Sequence, residues 1–524
     1  MRQIDGFFMA LSRLVGTPPD PLKLVSILIV SIPLAIGLPK LPPSSSLTHL
    51  YSLGLAYIFQ TQILHLHSGF RQLLFQSIGT WLAVKYGRAT RRSIAWTWAI
   101  FLGNMGVLTI NHFTRWSAGT SLDTVEITGA QMVLVMKLTL FAWSCYDGAR
   151  PMEELDQVQR KEGLGEVPGL LPFLGYCFFF PSLMTGPTFT YTSYASFTDR
   201  SLFNARDDEK ATFLMPPGRY RKAGKRFAIA TFHLAIYAVY GHQYGLGRIL
   251  EGGMNDRGFL RRVLFVYLAG LVARTKYYAV WSFAEAAMIV SGLGYDPEVG
   301  KWNKGRNVRI RQIETAQSFK TLFDAWNSGT NYWLRECMYK RLARKDKKPG
   351  FKSTMATFIT SAFWHGFNPT YYITFLLGGF FQALGRHLRK NLRPFMLPAN
   401  YALLSSQEKE NSERTLKKRL YDIFSTISVQ LALNFTVMPF LLLEIRPTLQ
   451  AWNYVHFYGV FLCFVPLAFI QLGGGTILKH AQIARAEEAG AAHEAVTKQR
   501  EEAKTFAHNL VTFVPEVPIP AKKN

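Results

Sequence analysis

His365 stands in the run Ser361-Ala-Phe-Trp-His-Gly-Phe-Asn-Pro369, between segments that are apolar enough to enter a bilayer. An imidazole titrates near neutral pH and can accept or return a proton, and an ionisable group at membrane depth is a functional candidate by default. The alternative is a structural histidine that hydrogen-bonds inside a helix bundle. His365 is therefore a candidate proton carrier. The other polar residues of the apolar regions decide between this interpretation and the structural one.

Three further stretches combine polar residues, glycines and aromatic residues in the same way: Phe180–Tyr191, Lys276–Tyr295 and Asn307–Arg335. Glu285 is the least ordinary of these residues, because a carboxylate inside an apolar helix is costly unless it is paired or faces a polar cavity. Taken singly, the other features have structural explanations. Gly186-Pro187 can be a helix break, Lys276 can extend its amine to the membrane interface, and Arg341 is interpreted as an ordinary loop charge.

The elements that carry these residues are predicted to be membrane helices. Of the 524 residues, 49% are hydrophobic and 14% are aromatic, and the apolar residues form repeated blocks near the length that crosses a hydrocarbon core. We predict an all-α polytopic membrane protein with roughly ten to twelve transmembrane or re-entrant helices. The candidate blocks are Leu22–Leu38, Leu50–Leu66, Phe70–Val84, Ser93–Phe113, Gln131–Tyr146, Leu170–Met184, Phe227–Leu246, Val263–Gly292, Thr354–Phe367, Tyr371–Leu384, Ile423–Glu444 and Trp452–Leu472. The block Thr354–Phe367 is short enough to be buried or re-entrant.

The domain organisation is predicted to be simple. Residues 1–475 form a membrane-embedded domain whose motifs lie within about 170–390, and no cleavable signal peptide is expected before it. Residues 476–524 are rich in Ala, Glu and Lys at first and then in Pro, which predicts a solvated helical tail with an extended terminus.

The net charge of +25 is assigned to membrane topology and not to nucleic-acid binding, because Lys and Arg concentrate in the cytosolic loops of membrane proteins. The basic loops are Lys85–Arg92, Arg219–Arg226, Lys301–Lys352 and Arg386–Arg393. The third of them has 14 Lys or Arg against 4 Asp or Glu, a net charge of +10. That excess can attract a nucleotide-bearing acyl carrier or anionic lipid headgroups.

The sequence lacks the residues that several other kinds of site require. The four cysteines are scattered with no CxxC pair, so neither a metal site nor a disulfide framework is expected. None of the twelve histidines has an aspartate five residues later, which excludes the HxxxxD acyltransferase motif, and there is no GxSxG nucleophile elbow.

Four motifs in order resemble those of the membrane-bound O-acyltransferase family, and within it the lysophospholipid acyltransferase branch. They are Gly186-Pro187-x-Phe189-x-Tyr191; Lys276-Tyr277-Tyr278-x-x-Trp281 with Glu285; Glu314-Thr315 followed by Trp326-Asn327-x-x-Thr330-x-x-Trp333-Leu334-Arg335; and Trp364-His365-Gly366-x-x-Pro369. The resemblance covers roughly residues 50–470. Two departures are visible: Thr370 follows the last proline where the family often has glycine, and Phe323-Asp-Ala-Trp-Asn327 matches only part of the FYxDWWN-like signature of the sterol and diacylglycerol branch.

The resemblance implies an enzyme of the endoplasmic reticulum membrane that moves a fatty acyl group from acyl-CoA to a lysophospholipid hydroxyl, with no tightly bound cofactor. It makes Asn327 and His365, which are 38 positions apart, the catalytic pair around a central reaction tunnel. The other motif positions are assigned to binding acyl-CoA or lipid. They are Gly186, Pro187, Tyr191, Lys276, Tyr277, Trp281, Glu285, Asn307, Glu314, Trp326, Thr330, Trp333, Arg335 and Trp364.

The chemistry of the pair suits that reaction. A lysophospholipid hydroxyl needs a positioned base to attack a thioester, and a neutral imidazole such as that of His365 can take its proton and pass it to the leaving thiolate. The Asn327 amide can donate to the thioester oxygen or orient the acceptor hydroxyl. Two alternatives stay open: an acyltransferase of the same fold that uses a neutral lipid or a protein as acceptor, and a lipid transporter or scramblase whose polar groups line a conduction path.

Overall fold

The computed structural model describes residues 2–87, 93–120, 124–203, 215–251, 257–342, 350–401 and 404–490. Some predicted features lie outside these ranges. They are residues 88–92 and 343–349 of the basic loops, and the end of the predicted tail, residues 491–524.

The described chain is helical almost throughout, which confirms the predicted all-α fold. The one sheet that it contains is an antiparallel hairpin in which Tyr295 of β1 (Tyr295–Asp296) is opposite Trp302 of β2 (Lys301–Trp302). The helices are α1 (Arg2–Val15), α2 (Pro19–Ala35), α3 (Ser46–Tyr57), α4 (His67–Tyr86), α5 (Ile94–Ser117), α6 (Ile127–Asp147), α7 (Gln157–Glu162), α8 (Leu170–Cys177), α9 (Phe180–Leu183), α10 (Tyr191–Thr198), α11 (Arg219–Tyr240), α12 (Gly247–Leu250), α13 (Phe259–Ser291), α14 (Ile310–Glu314), α15 (Phe319–Ala325), α16 (Ser328–Leu334), α17 (Phe351–His365), α18 (Pro369–Asn391), α19 (Ser406–Glu413), α20 (Leu416–Thr436), α21 (Met438–Leu442), α22 (Ile445–Tyr454), α23 (Tyr458–Phe469) and α24 (475–490).

Six helical segments among the described residues are long and apolar enough to cross a membrane by length and composition. They are Pro19–Lys40, Ile94–Ser117, Ile127–Asp147, Phe259–Ser291, Leu416–Leu442 and Tyr458–Gly490. Helices α4, α11 and α18 have 20, 22 and 23 residues and are more polar. The protein is therefore a multi-pass membrane protein, and the count of ten to twelve helices stays a prediction.

Two predicted spans are wrong as single helices. Trp452–Leu472 begins in α22 and enters α23 after a break at residues 455–457. The block Leu170–Met184 is divided into α8, of eight residues, and α9, of four. Neither piece reaches the ~20 residues that a membrane helix needs. The break lies at Phe178-Phe179, where α9 begins with Pro181 in its first turn, a residue that has no N–H to donate to a continuing helix.

The predicted short block Thr354–Phe367 corresponds to α17, which has 15 residues. At 1.5 Å per residue such a helix is about 22 Å long, less than the ~30 Å of a hydrocarbon core. Its length agrees with the prediction that this block is buried or re-entrant.

The chain divides into two compact units. The first contains residues 1–381 and 429–459, and the second contains 382–428 and the described residues from 460 onward. In the first unit, α6 is the most enclosed long helix, with 83% of its apolar window buried, and it packs against α4, α5 and α8. In the second unit, α23 continues through a π-helical turn, Ile470–Gly474, into α24.

Candidate active site

His365 is the last residue of α17, and its ring lies among aromatic side chains of the first unit. Helix α17 ends there because Gly366 has a φ of 129°, a conformation that favours glycine. The imidazole stacks on Phe375 at 5.1 Å between ring centroids and meets Phe440 edge-on at 5.0 Å. Tyr371 lies at 5.6 Å. Within the part of the chain that the structure describes, neither ring nitrogen hydrogen-bonds to a protein group, so both can serve a reactant.

The turn that follows His365 is fixed by Asn368. Its side-chain amide donates to the carbonyl oxygen of Leu443 at 2.5 Å, which ties the turn to the end of the α21 segment that carries Phe440. The Thr370 hydroxyl donates to Asn368 Oδ1 at 2.7 Å and the Thr370 N–H does so at 3.1 Å. The departure from glycine at position 370 thus supplies a hydroxyl that helps to orient Asn368.

His112, on α5, is a neighbour of His365 that the sequence did not reveal. Its Nε2 is 3.1 Å from the carbonyl oxygen of Trp364, and because a carbonyl only accepts, Nε2 carries the proton. A Cβ added to Gly366 would lie 3.4 Å from the His112 ring, so the ring packs directly on the end of α17. His112 therefore positions the backbone on both sides of His365, although it is 252 residues away from Trp364 in the chain.

Asn327 lies at the start of α16 in a left-handed conformation, with φ 45° and ψ 56°. Asparagine adopts this conformation more readily than most residues. Its carbonyl accepts the N–H of Asn331 at 3.0 Å, which begins the helix. The preceding residue, Trp326, is held by aromatic residues of α13, at 5.5 Å from Tyr277 and 5.1 Å from Trp281. The backbone before and after Asn327 is therefore fixed, and its side chain projects from a rigid turn.

Asn307 joins this turn to the Gly186-Pro187 loop. Its buried side chain accepts the N–H of Gly329 at 2.9 Å through Oδ1, and its carbonyl accepts the N–H of Ser328 at 2.9 Å. Its Nδ2 lies 3.8 Å from the position that a Cβ on Gly186 would occupy. Asn307 therefore lies between both motifs and acts as a positioning residue.

One face of α6 supports both candidate catalytic segments. The Trp364 indole donates to the Met132 carbonyl at 3.1 Å, and the Trp333 indole donates to Thr139 Oγ1 at 2.8 Å. Between them, Thr330 Oγ1 contacts Met136 Sδ at 3.3 Å. Positions 132, 136 and 139 share one helix face because they are separated by four and three residues.

The two tryptophan rings on that face also touch each other, Trp333 and Trp364 being 5.8 Å apart between centroids. Helix α16, which Asn327 begins, therefore packs beside the end of α17 that carries His365. The structure thus brings the two motifs together on a common support.

Lys137, on the same helix α6, is a buried charge that sequence analysis overlooked. Its Nζ donates to the carbonyls of Tyr176 and Cys177 at 3.0 and 3.3 Å and to Ser182 Oγ at 3.2 Å. It also lies 4.5 Å from the ring centroid of Phe189. These acceptors surround the break between α8 and α9, so Lys137 holds the segment that leads into Gly186-Pro187.

The two carboxylates of the predicted binding set are enclosed by protein partners. Glu285 is fully buried and forms ion pairs with Arg226 and, at 3.1 Å, with Arg306. A carboxylate in an apolar helix is costly unless it is paired, and the two arginines provide that pairing.

Glu314 receives a bidentate pair from Arg274, at 3.0 and 2.9 Å, and the Tyr278 hydroxyl at 2.6 Å. These contacts give both carboxylates a role in joining helices. Their assignment to acyl-CoA or lipid binding stays a prediction.

The remaining predicted residues differ in exposure. Tyr191 is buried against the rings of Phe141 and Tyr176, at 6.0 and 5.6 Å. Lys276 is exposed, and its ammonium lies 5.5 Å from the ring centroid of Tyr277. The Arg335 side chain is 50% exposed and pairs with Glu336 at 2.9 Å. Lys276 and Arg335 are thus the exposed cations of the predicted set.

The interpretation of Arg341 as an ordinary loop charge is wrong. Its guanidinium makes a bidentate pair with Asp147, at 2.7 and 2.5 Å, and lies 4.2 Å from the ring centroid of Trp143. Both partners are at most 6% exposed. The reason is tertiary, because Asp147 at the end of α6 is 194 residues away in the chain.

Comparison with known proteins identifies the family of this chain. The family model described as MBOAT, membrane-bound O-acyltransferase family, matches residues 113–405, which is more than half of the chain and includes both candidate catalytic residues. The chain belongs to the membrane-bound O-acyltransferase family. It is thus an acyltransferase.

Individual relatives extend the similarity over most of the chain. A lysophospholipid acyltransferase of Schizosaccharomyces pombe is 33% identical over 458 residues, 87% of each chain. A lysophospholipid acyltransferase of Saccharomyces cerevisiae is 34% identical over 87% of this chain and 74% of its own length. The human membrane-bound glycerophospholipid O-acyltransferase 2 is 29% identical over 69% of this chain and 68% of its own.

Proposed function

We propose that this membrane-bound O-acyltransferase is a lysophospholipid acyltransferase that uses acyl-CoA as the donor. The similarity to the two yeast lysophospholipid acyltransferases supports the acceptor class. The observation that carries the chemical assignment is the His365 ring, which is held by aromatic residues and leaves both nitrogens unpaired by the described residues.

In the proposed reaction His365 acts as a general base. A neutral ring nitrogen takes the proton of the lysophospholipid hydroxyl while that oxygen attacks the thioester carbonyl carbon. The carbon–sulfur bond then breaks, the ester forms, and the imidazolium returns the proton to the CoA thiolate. The donor and acceptor therefore exchange one acyl group and one proton, and His365 ends in its starting state.

Asn327 supplies the second polar group of the proposed site. Its amide stays neutral in surroundings where a charge would be costly, and it donates to the thioester oxygen or orients the acceptor hydroxyl. Asn307 and the aromatic contacts of Trp326 hold its turn, so the amide needs little reorganisation during the reaction.

The surroundings of the pair suit two substrates of different polarity. The acyl chain can remain among apolar and aromatic side chains while the CoA portion stays in water. The basic loop 301–352, with its net charge of +10, can attract the CoA phosphates. We place this loop on the cytosolic face of the endoplasmic reticulum membrane, following the positive-inside tendency.

An acceptor panel tests the proposal. The full chain, purified in detergent, is supplied with radiolabelled oleoyl-CoA and with lysophosphatidylcholine and its relatives, a sterol, diacylglycerol or a peptide. We expect label in phospholipid. Transfer only to the sterol, diacylglycerol or peptide would contradict the proposed acceptor class and favour a relative with a neutral-lipid or protein acceptor.

A further inference from the structure

A cavity lies in the second unit, and none of the residues assigned to acyl transfer lines it. It has a volume of about 220 Å³ and is bounded by the end of α18, the following 3-10 turn (Arg393–Met396) and α24. Three arginines line it, Arg389, Arg393 and Arg485, together with Tyr401. Arginine is the side chain that proteins use most often to recognise phosphate.

The cavity is held together by side chains of α24. Arg485 donates to the carbonyls of Pro394 and Leu397 at 3.0 and 2.9 Å. Gln482 donates to the carbonyl of Asn391 at 2.8 Å. These bonds join α24 to the turn after α18, so the guanidinium of Arg485 is fixed in place before any ligand binds.

The charge of the cavity is positive. Arg393 forms an ion pair with Glu413 at 2.5 Å, and the Tyr401 hydroxyl donates to the same carboxylate at 2.9 Å. These two partners, led by the Tyr401 hydrogen bond, lower the pKa of Glu413, so it is ionised at neutral pH. Three guanidinium groups against this one carboxylate leave two positive charges in excess.

Arg389 is the cation of this cavity that is left for a ligand. It is exposed and has no ion pair or hydrogen bond to any residue that the structure describes. Arg393, by contrast, shares its charge with Glu413, and Arg485 is engaged by two carbonyls.

The size of the cavity and its position on the chain indicate the class of ligand. Pockets for drug-sized ligands have volumes of about 300–1,000 Å³, so a cavity of about 220 Å³ suits a small phosphate-bearing headgroup better than a nucleotide. Helix α24 is the second part of the apolar segment Tyr458–Gly490, on which Leu472, Ile477 and Ile483 are exposed by 87%, 67% and 45%. An amphiphile can place its tails along such a surface and its phosphate between the arginines.

We propose that this cavity binds the phosphate of an anionic membrane lipid, at a site that is separate from the acyl-transfer residues. The proposal does not depend on which acceptor the enzyme acylates. Free phosphate and the phosphates of CoA share this chemistry, and the experiment below distinguishes them from a lipid headgroup.

The test uses the full chain in nanodiscs of phosphatidylcholine doped with phosphatidic acid, and native mass spectrometry counts the phosphatidic acid that the protein retains. Arg389→Gln removes this guanidinium, and we expect retention to fall about ten-fold because a hydrogen bond to a charged group is lost. A factor of ten corresponds to about 1.4 kcal/mol. Arg386→Gln is the matched control, because it removes an exposed arginine of the same helix that does not line the cavity.

The results separate the proposal from its alternatives. Unchanged retention in Arg389→Gln, or an equal loss in Arg386→Gln, would overturn the site. Displacement of the lipid by equimolar inorganic phosphate or CoA would overturn the assignment to a lipid headgroup. Acyl transfer by Arg389→Gln in pure phosphatidylcholine discs should equal that of the unaltered protein, which shows that the variant is folded.

Discussion

Two polar side chains in apolar regions, the partly buried His365 and the fully buried Glu285, have opposite surroundings. Glu285, on α13, is enclosed by Arg226 and Arg306, so its charge is balanced within the protein. His365 is enclosed by aromatic rings, and no described protein group satisfies its ring nitrogens. A polar side chain whose partners are all protein groups stabilises the fold, whereas one left without a partner can bind and change a substrate.

The largest effect should come from His365→Ala. We expect turnover to fall about 1,000-fold or more, since a positioned general base contributes about 100- to 10,000-fold. Thermal stability in detergent should stay close to that of the unaltered protein, because the histidine side chain has no hydrogen bond to any residue that the structure describes. Acyl transfer and the unfolding midpoint are measured on the same preparation.

The control for that variant is His242→Ala, which removes an exposed histidine beyond the end of α11. It should leave both turnover and stability unchanged. Substantial turnover by His365→Ala would refute the assignment of His365 as the base.

Glu285→Ala should have the opposite effect to His365→Ala, lowering thermal stability and leaving turnover. It leaves Arg226 and Arg306 without their counter-ion, and breaking a buried ion pair from one side costs about 3–5 kcal/mol. We expect a clear drop in thermal stability, with the molecules that remain folded still turning over. A stable but inactive Glu285→Ala protein would show instead that this carboxylate takes part in the reaction.

Lys137→Met tests whether the buried cation Lys137 has a structural role. The substitution keeps the length of the side chain but removes the Lys137 donor from the carbonyls of Tyr176 and Cys177, of which the Tyr176 carbonyl keeps a long bond from the Phe179 N–H at 3.5 Å. A buried group left unpaired costs about 1–3 kcal/mol. We expect lower thermal stability and a raised KM, because the segment before Gly186-Pro187 loses its anchor. A lowered kcat with unchanged KM and stability would contradict this positioning role.

His112→Phe tests the support of the proposed base. Loss of one hydrogen bond to the Trp364 carbonyl should cost about 1 kcal/mol, and the resulting displacement of His365 should reduce kcat about ten-fold. His112→Gln, whose amide can still donate to that carbonyl, should recover part of the loss. Equal kcat values for the two variants would show that the hydrogen bond is not what positions His365.

The smallest effect is expected from Arg335→Gln. Its ion pair with Glu336 is half-exposed, and exposed pairs contribute about 0–1 kcal/mol. Thermal stability should barely change. If Arg335 binds the CoA phosphates as the motif assignment predicts, KM for acyl-CoA should rise while kcat stays constant.

Sequence reasoning succeeded where the relevant property is local. The apolar blocks predicted an all-α membrane protein because span length and composition can be read along the chain. The four motifs predicted the family, which the comparisons confirm. The prediction failed for Leu170–Met184, where an apolar composition concealed a helix break.

Within the candidate site, the residues missed or misjudged share one property: their partners are far away in the chain. His112 meets Trp364 across 252 residues, and Arg341 meets Asp147 across 194. Lys137 meets the Tyr176 carbonyl across 39 residues and Ser182 Oγ across 45. No periodicity or motif spacing encodes contacts of this kind.

The sequence by itself determined the membrane environment, the family and the candidate pair of Asn327 and His365, because apolar length and motif residues are properties of single segments. Only the tertiary structure decided which polar groups are already satisfied. It enclosed Glu285 between Arg226 and Arg306 and left the His365 ring among aromatic residues. The physical reason is that the free energy of a buried polar group depends on its neighbours in space, and folding chooses those neighbours from distant parts of the chain.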